Sequence, residues 1–156
     1  MRIYWVDRLE KGKIGMMPRP KGGDWLPDEI VHLKRLDVSV LVSLITPAEV
    51  LELGLEREHE LCTANGIQFY QFPIQDLGVP ESKIAFNDFL AKLAAHLDKN
   101  ERIVIHCRMG IGRTSLTTAS LLKYKGDTDP HLFDYLSEIR TLAVPDRPEQ
   151  IKWVME

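Results

Sequence analysis

Arg102-Ile103-Val104-Ile105-His106-Cys107-Arg108-Met109-Gly110-Ile111-Gly112-Arg113-Thr114 is the stretch that decides the fold. Arg102–His106 is an apolar, β-branched run, short enough for a strand buried on both faces. Two glycines break the pattern, and helical spacing runs from Thr114 to Lys125, closed by Gly126. The stretch therefore reads as strand, tight loop, helix. Upstream the same alternation recurs. A short strand is expected at Ile3–Val6, and Lys11–Asp24, rich in glycine, proline and basic residues, reads as a surface loop before a helix near Pro27–Leu36. Val38–Leu44 and Ile67–Phe72 are further strands; between them Thr46-Pro47 marks a helix start, and a helix through Leu55–Asn65 stops at Gly66. Phe86, Phe89, Leu90, Leu93 and Leu97 fall at helical spacing and predict an amphipathic helix over Glu81–Lys99. Leu132, Leu136 and Ile139 mark another helix, and a last short one starts near Pro148. Strands alternating with helices predict an α/β protein: a central, mainly parallel sheet of four to five strands flanked by helices, in one domain over residues 1–156.

Composition narrows the function classes. A chain of 156 residues can bury a core without covalent staples. A net charge of −3 argues against a general nucleic-acid binder, so any anion it handles must be attracted locally. The two cysteines, Cys62 and Cys107, form no CxxC pair and are too few for a disulfide scaffold. The start of the chain is soon interrupted by charge, unlike a signal segment, and no apolar run approaches the ~20 residues that span a bilayer. The expectation is a cytoplasmic protein in a reducing setting that preserves a free thiol.

The chemistry follows from where the loop lies. At the carboxyl end of a parallel strand, the loop Cys107–Arg113 meets the positive end of a helix, whose first N–H groups have no helical acceptor. Gly110 and Gly112 let the chain curl so that the amides of Arg108, Met109, Gly110, Ile111, Gly112 and Arg113 can converge on an anion. Arg113, six positions after Cys107, can bring its planar fork to the mouth of the loop and grip two phosphate oxygens. The same positive environment draws a cysteine toward its thiolate. A lone cysteine at a strand end is most often a small core residue, and a glycine pair before a helix is weak evidence alone. The combination of strand, His-Cys, five residues with two glycines, Arg-Thr and helix is far more specific. A thiolate at the base of an anion cradle suits in-line attack on a phosphoryl group.

His106-Cys107, five residues, Arg113 and Thr114 make the chain resemble the protein tyrosine phosphatase superfamily, in its compact, atypical dual-specificity type. Small archaeal and bacterial phosphatases and the kinase-associated phosphatases are the nearest types, and the resemblance covers about Trp25 to Gln150. It implies a cysteine-phosphatase fold and hydrolysis of phosphomonoesters through a phosphocysteine intermediate, with no metal and no cofactor. It implies Cys107 as nucleophile, Arg113 and the loop amides as phosphate ligands, and Thr114 as hydrogen-bond donor to the sulfur. The general acid of the family lies about thirty residues before the cysteine, and Phe72-Pro73-Ile74-Gln75-Asp76-Leu77-Gly78-Val79-Pro80 supplies Asp76 there, expected to protonate the leaving group and then, as a carboxylate, to activate water for the second step. Asp88 on the following helix is a poorer fit. Relatives carry an Arg-Pro pair after the helix, then Glu-Gln, whose glutamine positions the hydrolytic water. Glu149-Gln150 matches the end of this pattern, but Arg147-Pro148 comes late and the intervening segment is short, so Gln150 is a water-positioning candidate on partial grounds.

The remaining residues invite plainer readings. His106 is expected to brace the loop from beneath, Cys62 to pack, and Trp5, Trp25 and Trp153 are too scattered for a stacking platform. Arg19, Lys21 and Arg108 could form a basic rim that favours acidic substrates. The loop lacks the paired lysines of inositol-lipid phosphatases, and no motif builds a deep phosphotyrosine slot. The expected substrate is a phosphorylated protein or peptide, or a small phosphomonoester, met in a shallow pocket by a monomer, with no nucleic-acid or membrane partner. Two rival readings are a phosphate-reading module without turnover and a sulfur-transfer or arsenate-reducing enzyme. Arsenate reduction usually needs a resolving cysteine near the first, and only distant Cys62 is available.

Overall fold

A computed structural model describes all residues from Met1 to Glu156. Its centre is the strand β5 (Arg102–His106), with the bounds expected from the sequence. The five-stranded sheet runs in the order β1 (Tyr4–Val6), β2 (Lys13–Met17), β5, β3 (Val40–Ser43), β4 (Gln68–Gln71). All pairings are parallel except β1 with β2. In register, Met17 and Ser43 flank His106, so three strands end level at one edge of the sheet. The loop that begins at Cys107 emerges from the middle of that edge.

One expectation fails. Lys11–Asp24 is not simply a surface loop, because β2 lies inside it, with Ile14, Met16 and Met17 fully buried. Lysine, glycine and methionine carry little strand propensity, and here partner strands on both sides override it.

Seven helices complete the layers: α1 (Leu26–Arg35), α2 (Pro47–Glu52), α3 (Glu58–Ala64), α4 (Lys83–Asp98), α5 (Gly112–Tyr124), α6 (Leu132–Arg140) and α7 (Pro148–Met155). Helix α5 packs against the sheet and against α4, α6 and α7, and every residue from Gly112 to Leu122 is buried. Its apolar residues Leu116, Ala119, Leu121 and Leu122 join Phe86, Leu90 and Leu93 of α4 and the sheet residues in one core. A helix surrounded in this way holds its first turn, and the loop before it, in a fixed place. No helix is long and apolar enough to cross a membrane.

Candidate active site

The loop from Cys107 to Arg113 is held by its carbonyls. The Cys107 carbonyl accepts from His106 Nδ1 at 3.0 Å, and that of Arg108 accepts from the Arg19 amide at 3.1 Å. Arg140 donates from NH2 to Met109 O at 3.0 Å and from Nε to Gly110 O at 3.2 Å. Ile111 O accepts from the amide and hydroxyl of Ser115. With its carbonyls engaged outward, none of the backbone N–H groups of Arg108–Arg113 finds an acceptor within the protein. Gly110 is required twice over. Its φ is +72°, and a Cβ there would lie 2.6 Å from the Met17 carbonyl, inside the end of β2.

Arg113 is 1% exposed, and both terminal nitrogens of its guanidinium are engaged while Nε has no partner within the protein. NH1 donates to Glu49 Oε1 at 2.7 Å and to Ile74 O at 2.9 Å; NH2 donates to Glu49 Oε2 at 3.0 Å and to Asp76 Oδ1 at 3.2 Å. Glu49 is itself fixed by a capping box, taking the Thr46 amide at 3.0 Å while its own amide reaches Thr46 Oγ1 at 3.4 Å. Burial would raise the Glu49 pKa, but hydrogen bonds from Arg113 and Thr46 and the Arg113 charge outweigh it and bring it down to about 2. Burial would likewise lower the Arg113 pKa, and the Glu49 bonds, the Cys107 charge and the Asp76 charge raise it instead. The guanidinium is thus pinned, cationic and electrostatically coupled to the cysteine.

Beneath the loop lies a second buried pair. His106 Nε2 is 2.7 Å from Glu58 Oε2, with side chains 0% and 2% exposed. Desolvation pushes the His106 pKa down, but the Glu58 charge and hydrogen bond, together with the Cys107 carbonyl, raise it. Both ring nitrogens are engaged, one with the Glu58 carboxyl group and one with the carbonyl of the cysteine. This matches a bracing role for His106. Cys62 is fully buried in α3, where burial and then the Glu58 charge push its thiol up to about 12.

The flanking loops complete the site. Asp76 lies on the loop after β4 with its side chain 56% exposed, and meets the site through Arg113. Gln150, in the first turn of α7, is fully buried. Its Nε2 donates to Gly78 O at 3.1 Å, and its Oε1 accepts from the amides of Asp146 and Arg147, each at 3.1 Å. The amide joins the Asp76 loop to the turn before α7, with the second hydrogen of its NH2 unengaged. Thr114 Oγ1 is buried and makes no hydrogen bond, so the expected contact with sulfur is not formed here. The basic rim also differs from expectation. Arg108 is paired with Glu52 at 2.9 and 2.8 Å, and Lys21 lies over the Trp25 ring.

The sequence reading missed Glu49, Glu58 and Arg140. Only Glu49 carried a local signal, the spacing of a capping box in Thr46-Pro47-Ala48-Glu49. Nothing near Glu58 or Arg140 in sequence hints at contacts with residues 106–110.

Residues 15–127 match the family described as polymorphic toxin system, DSP-PTPase phosphatase. Protein 197R of Invertebrate iridescent virus 6 is 28% identical over 130 residues, which make up 81% of this chain and 47% of that one. Cyclin-dependent kinase inhibitor 3 of Rattus norvegicus is 28% identical over 127 residues, 80% of this chain and 59% of its own. The chain thus spans about half the length of the curated relatives it matches. The crystal structure of kinase associated phosphatase with its catalytic cysteine replaced by serine shares the fold, with a TM-score of 0.86 at 22% identity over 98% of this chain and 91% of that one.

Proposed function

The chain belongs to the DSP-PTPase phosphatase family, and from that premise we propose that it hydrolyses phosphomonoesters of proteins or peptides through a phosphocysteine intermediate. One observation carries the reading: the carbonyls of the Cys107 loop are engaged outward while the amides of Arg108–Arg113 are left free beside a pinned guanidinium. A dianionic phosphoryl group is the ligand such a cradle suits.

The Cys107 thiolate attacks phosphorus in line, and the bond to the leaving oxygen breaks. The loop amides and Arg113 take the charge spread over the equatorial oxygens. Asp76, reached through Arg113, gives the leaving oxygen its proton. The unpartnered Thr114 hydroxyl, in the first turn of α5, is available to the sulfur as it departs in the second step. Exposed Met109 and Leu77 beside the cradle favour apolar neighbours of the phosphorylated residue and an open pocket that accepts phosphotyrosine and shorter phosphoserine or phosphothreonine. A monomer in a reducing compartment fits this use of a free thiol.

Phosphate release from para-nitrophenyl phosphate, without added metal, tests the reading. Wild type is expected to turn over, Cys107→Ser to lose at least about a thousandfold, and Asp76→Asn to be strongly slowed. Turnover that survives Cys107→Ser would overturn the mechanism. Vanadate binding without wild-type turnover would point to a phosphate-reading module, and persulfide formation with thiosulfate to sulfur transfer.

A further inference from the structure

Asp76 is carried on a tight turn. The Gly78 amide donates to Gln75 O at 2.8 Å, and Leu77 between them holds φ at +66°, in the left-handed region that a leucine rarely adopts. Buried Ile74 and Pro80 anchor the chain on either side, but Gln75, Asp76 and Leu77 are exposed. Two hydrogen bonds tie the turn to the rest of the protein. One runs from Arg113 NH2 to Asp76 Oδ1 at 3.2 Å, the other from Gln150 Nε2 to Gly78 O at 3.1 Å.

These two ties differ in when they hold. To protonate a leaving oxygen, the Asp76 carboxyl group must point at the substrate, so its bond to Arg113 is given up in the step it serves. The bond from Gln150 then remains, and a turn with a leucine at positive φ relaxes readily unless its surroundings hold it. Gln150 is built to hold it. The residue is 0% exposed, and its Oε1 accepts from the amides of Asp146 and Arg147, the second as part of the capping box of α7. The acceptor half of the amide thus serves its own helix, while the donor half reaches a carbonyl 72 residues earlier in the chain. Helix α7 packs on α5, whose first turn closes the phosphate loop. Gln150 therefore refers the Asp76 turn to the same helix that carries Arg113.

We propose that Gln150 is a positioning residue for the general acid: through Gly78 it holds the turn so that the Asp76 carboxyl group faces the leaving oxygen. This rests on the phosphatase reading above. Asp76 needs that place in both steps. In the first it gives its proton to the leaving oxygen as the bond from that oxygen to phosphorus breaks. In the second it takes a proton from water as the water oxygen bonds to phosphorus and Cys107 Sγ departs as thiolate. Gln150 itself exchanges no proton, and its effect on rate passes through Asp76. The second hydrogen of its NH2 is free to meet a water, and a direct part in hydrolysis makes a different prediction.

Aryl phosphates whose leaving oxygens differ in basicity report on the acid. Gln150→Met keeps the length of the side chain and removes both halves of the amide. Its kcat/KM for phenyl phosphate should fall about tenfold or more. With para-nitrophenyl phosphate, whose nitrophenolate departs with little help, the loss should stay below about threefold. In an Asp76→Asn background the same substitution should cost phenyl phosphate hydrolysis nothing further, because the group it positions is already missing. An equal fall on both substrates, or a full further loss in the Asp76→Asn background, would overturn the proposal and leave the phosphatase reading intact. So would a burst of phosphocysteine with kcat/KM unchanged on both substrates, which would assign Gln150 to the water. Thermal melts establish that folded proteins are being compared. Gln150→Asn, one methylene too short to span the α7 turn and Gly78, should give the same pattern if the methionine variant does not fold. A wild type that releases no phosphate would overturn both readings.

Discussion

Cys62 and Cys107 are both buried, at 0% and 3% exposure, yet the protein treats them oppositely. Cys62 lies within α3, surrounded by core side chains, and Glu58 one turn earlier adds a negative charge. Burial and that charge hold its thiol protonated, at about 12. Cys107 lies where a strand ends and a buried helix begins, beside free amides and a guanidinium coupled to it. The two sulfurs are equally hidden and differ in what surrounds them: core side chains and Glu58 around one, free amides and the Arg113 guanidinium beside the other. Glu58 acts on both sides of the contrast. It pushes the Cys62 thiol up, and its charge and hydrogen bond raise the His106 pKa beneath the Cys107 backbone.

The sharpest way to break this contrast is at Arg113. Arg113→Lys keeps a positive charge but loses the fork that meets Glu49, Ile74 and Asp76. A drop of about 10²–10³-fold in kcat/KM is expected, read with para-nitrophenyl phosphate; a change within a factor of about three would mean that charge alone suffices. Glu49→Gln tests the support of that fork. It leaves a buried guanidinium short of its main partner and should cost about 3 kcal/mol in urea unfolding at neutral pH. The sign with pH is fixed by the lowered Glu49 pKa. Its contribution is complete above the ordinary carboxylate value of 4.5 and is lost as pH falls from there toward about 2. Wild type and variant should therefore converge in acid, and an equal gap at neutral and acid pH would refute the pairing. The smallest effect is expected at Cys62. Cys62→Ala should lower stability by about 1 kcal/mol and leave turnover unchanged. Iodoacetamide applied to the folded protein at neutral pH should label Cys107 and spare Cys62. Comparable labelling of both would erase the contrast.

The sequence exposed the half of this contrast that is written locally. Arg102–His106, the glycine-containing loop and the start of α5 are consecutive, and each residue type acts on its neighbours, so strand, loop and nucleophile can be read together. Asp76 was found by spacing from the cysteine, and it lies beside Arg113. The supports were not legible in the same way. Glu49, Glu58 and Arg140 reach the loop from distant parts of the chain, brought there by a sheet in which β2 and β3 flank β5. An isolated glutamate on a helix looks the same whether it faces solvent or a buried arginine. The strand β2 was hidden for a related reason. Lys13-Ile14-Gly15-Met16-Met17 has weak intrinsic preference for a strand, and its conformation is set by partners on both sides.

The placement of β5 also orders events during folding. Both of its neighbours run parallel to it, so neither pairing can be closed by a hairpin, and each waits for a long crossover. Met17, which backs Gly110, comes from near the start of the chain, and Arg140, which holds two loop carbonyls, comes from near its end. A peptide cut to residues 100–125 would contain the whole signature and bind phosphate no better than an unstructured chain. Affinity for the anion is a property of the finished topology. It arrives together with cooperative folding, and phosphate or vanadate should accordingly raise the melting temperature of the intact protein by binding only its native state.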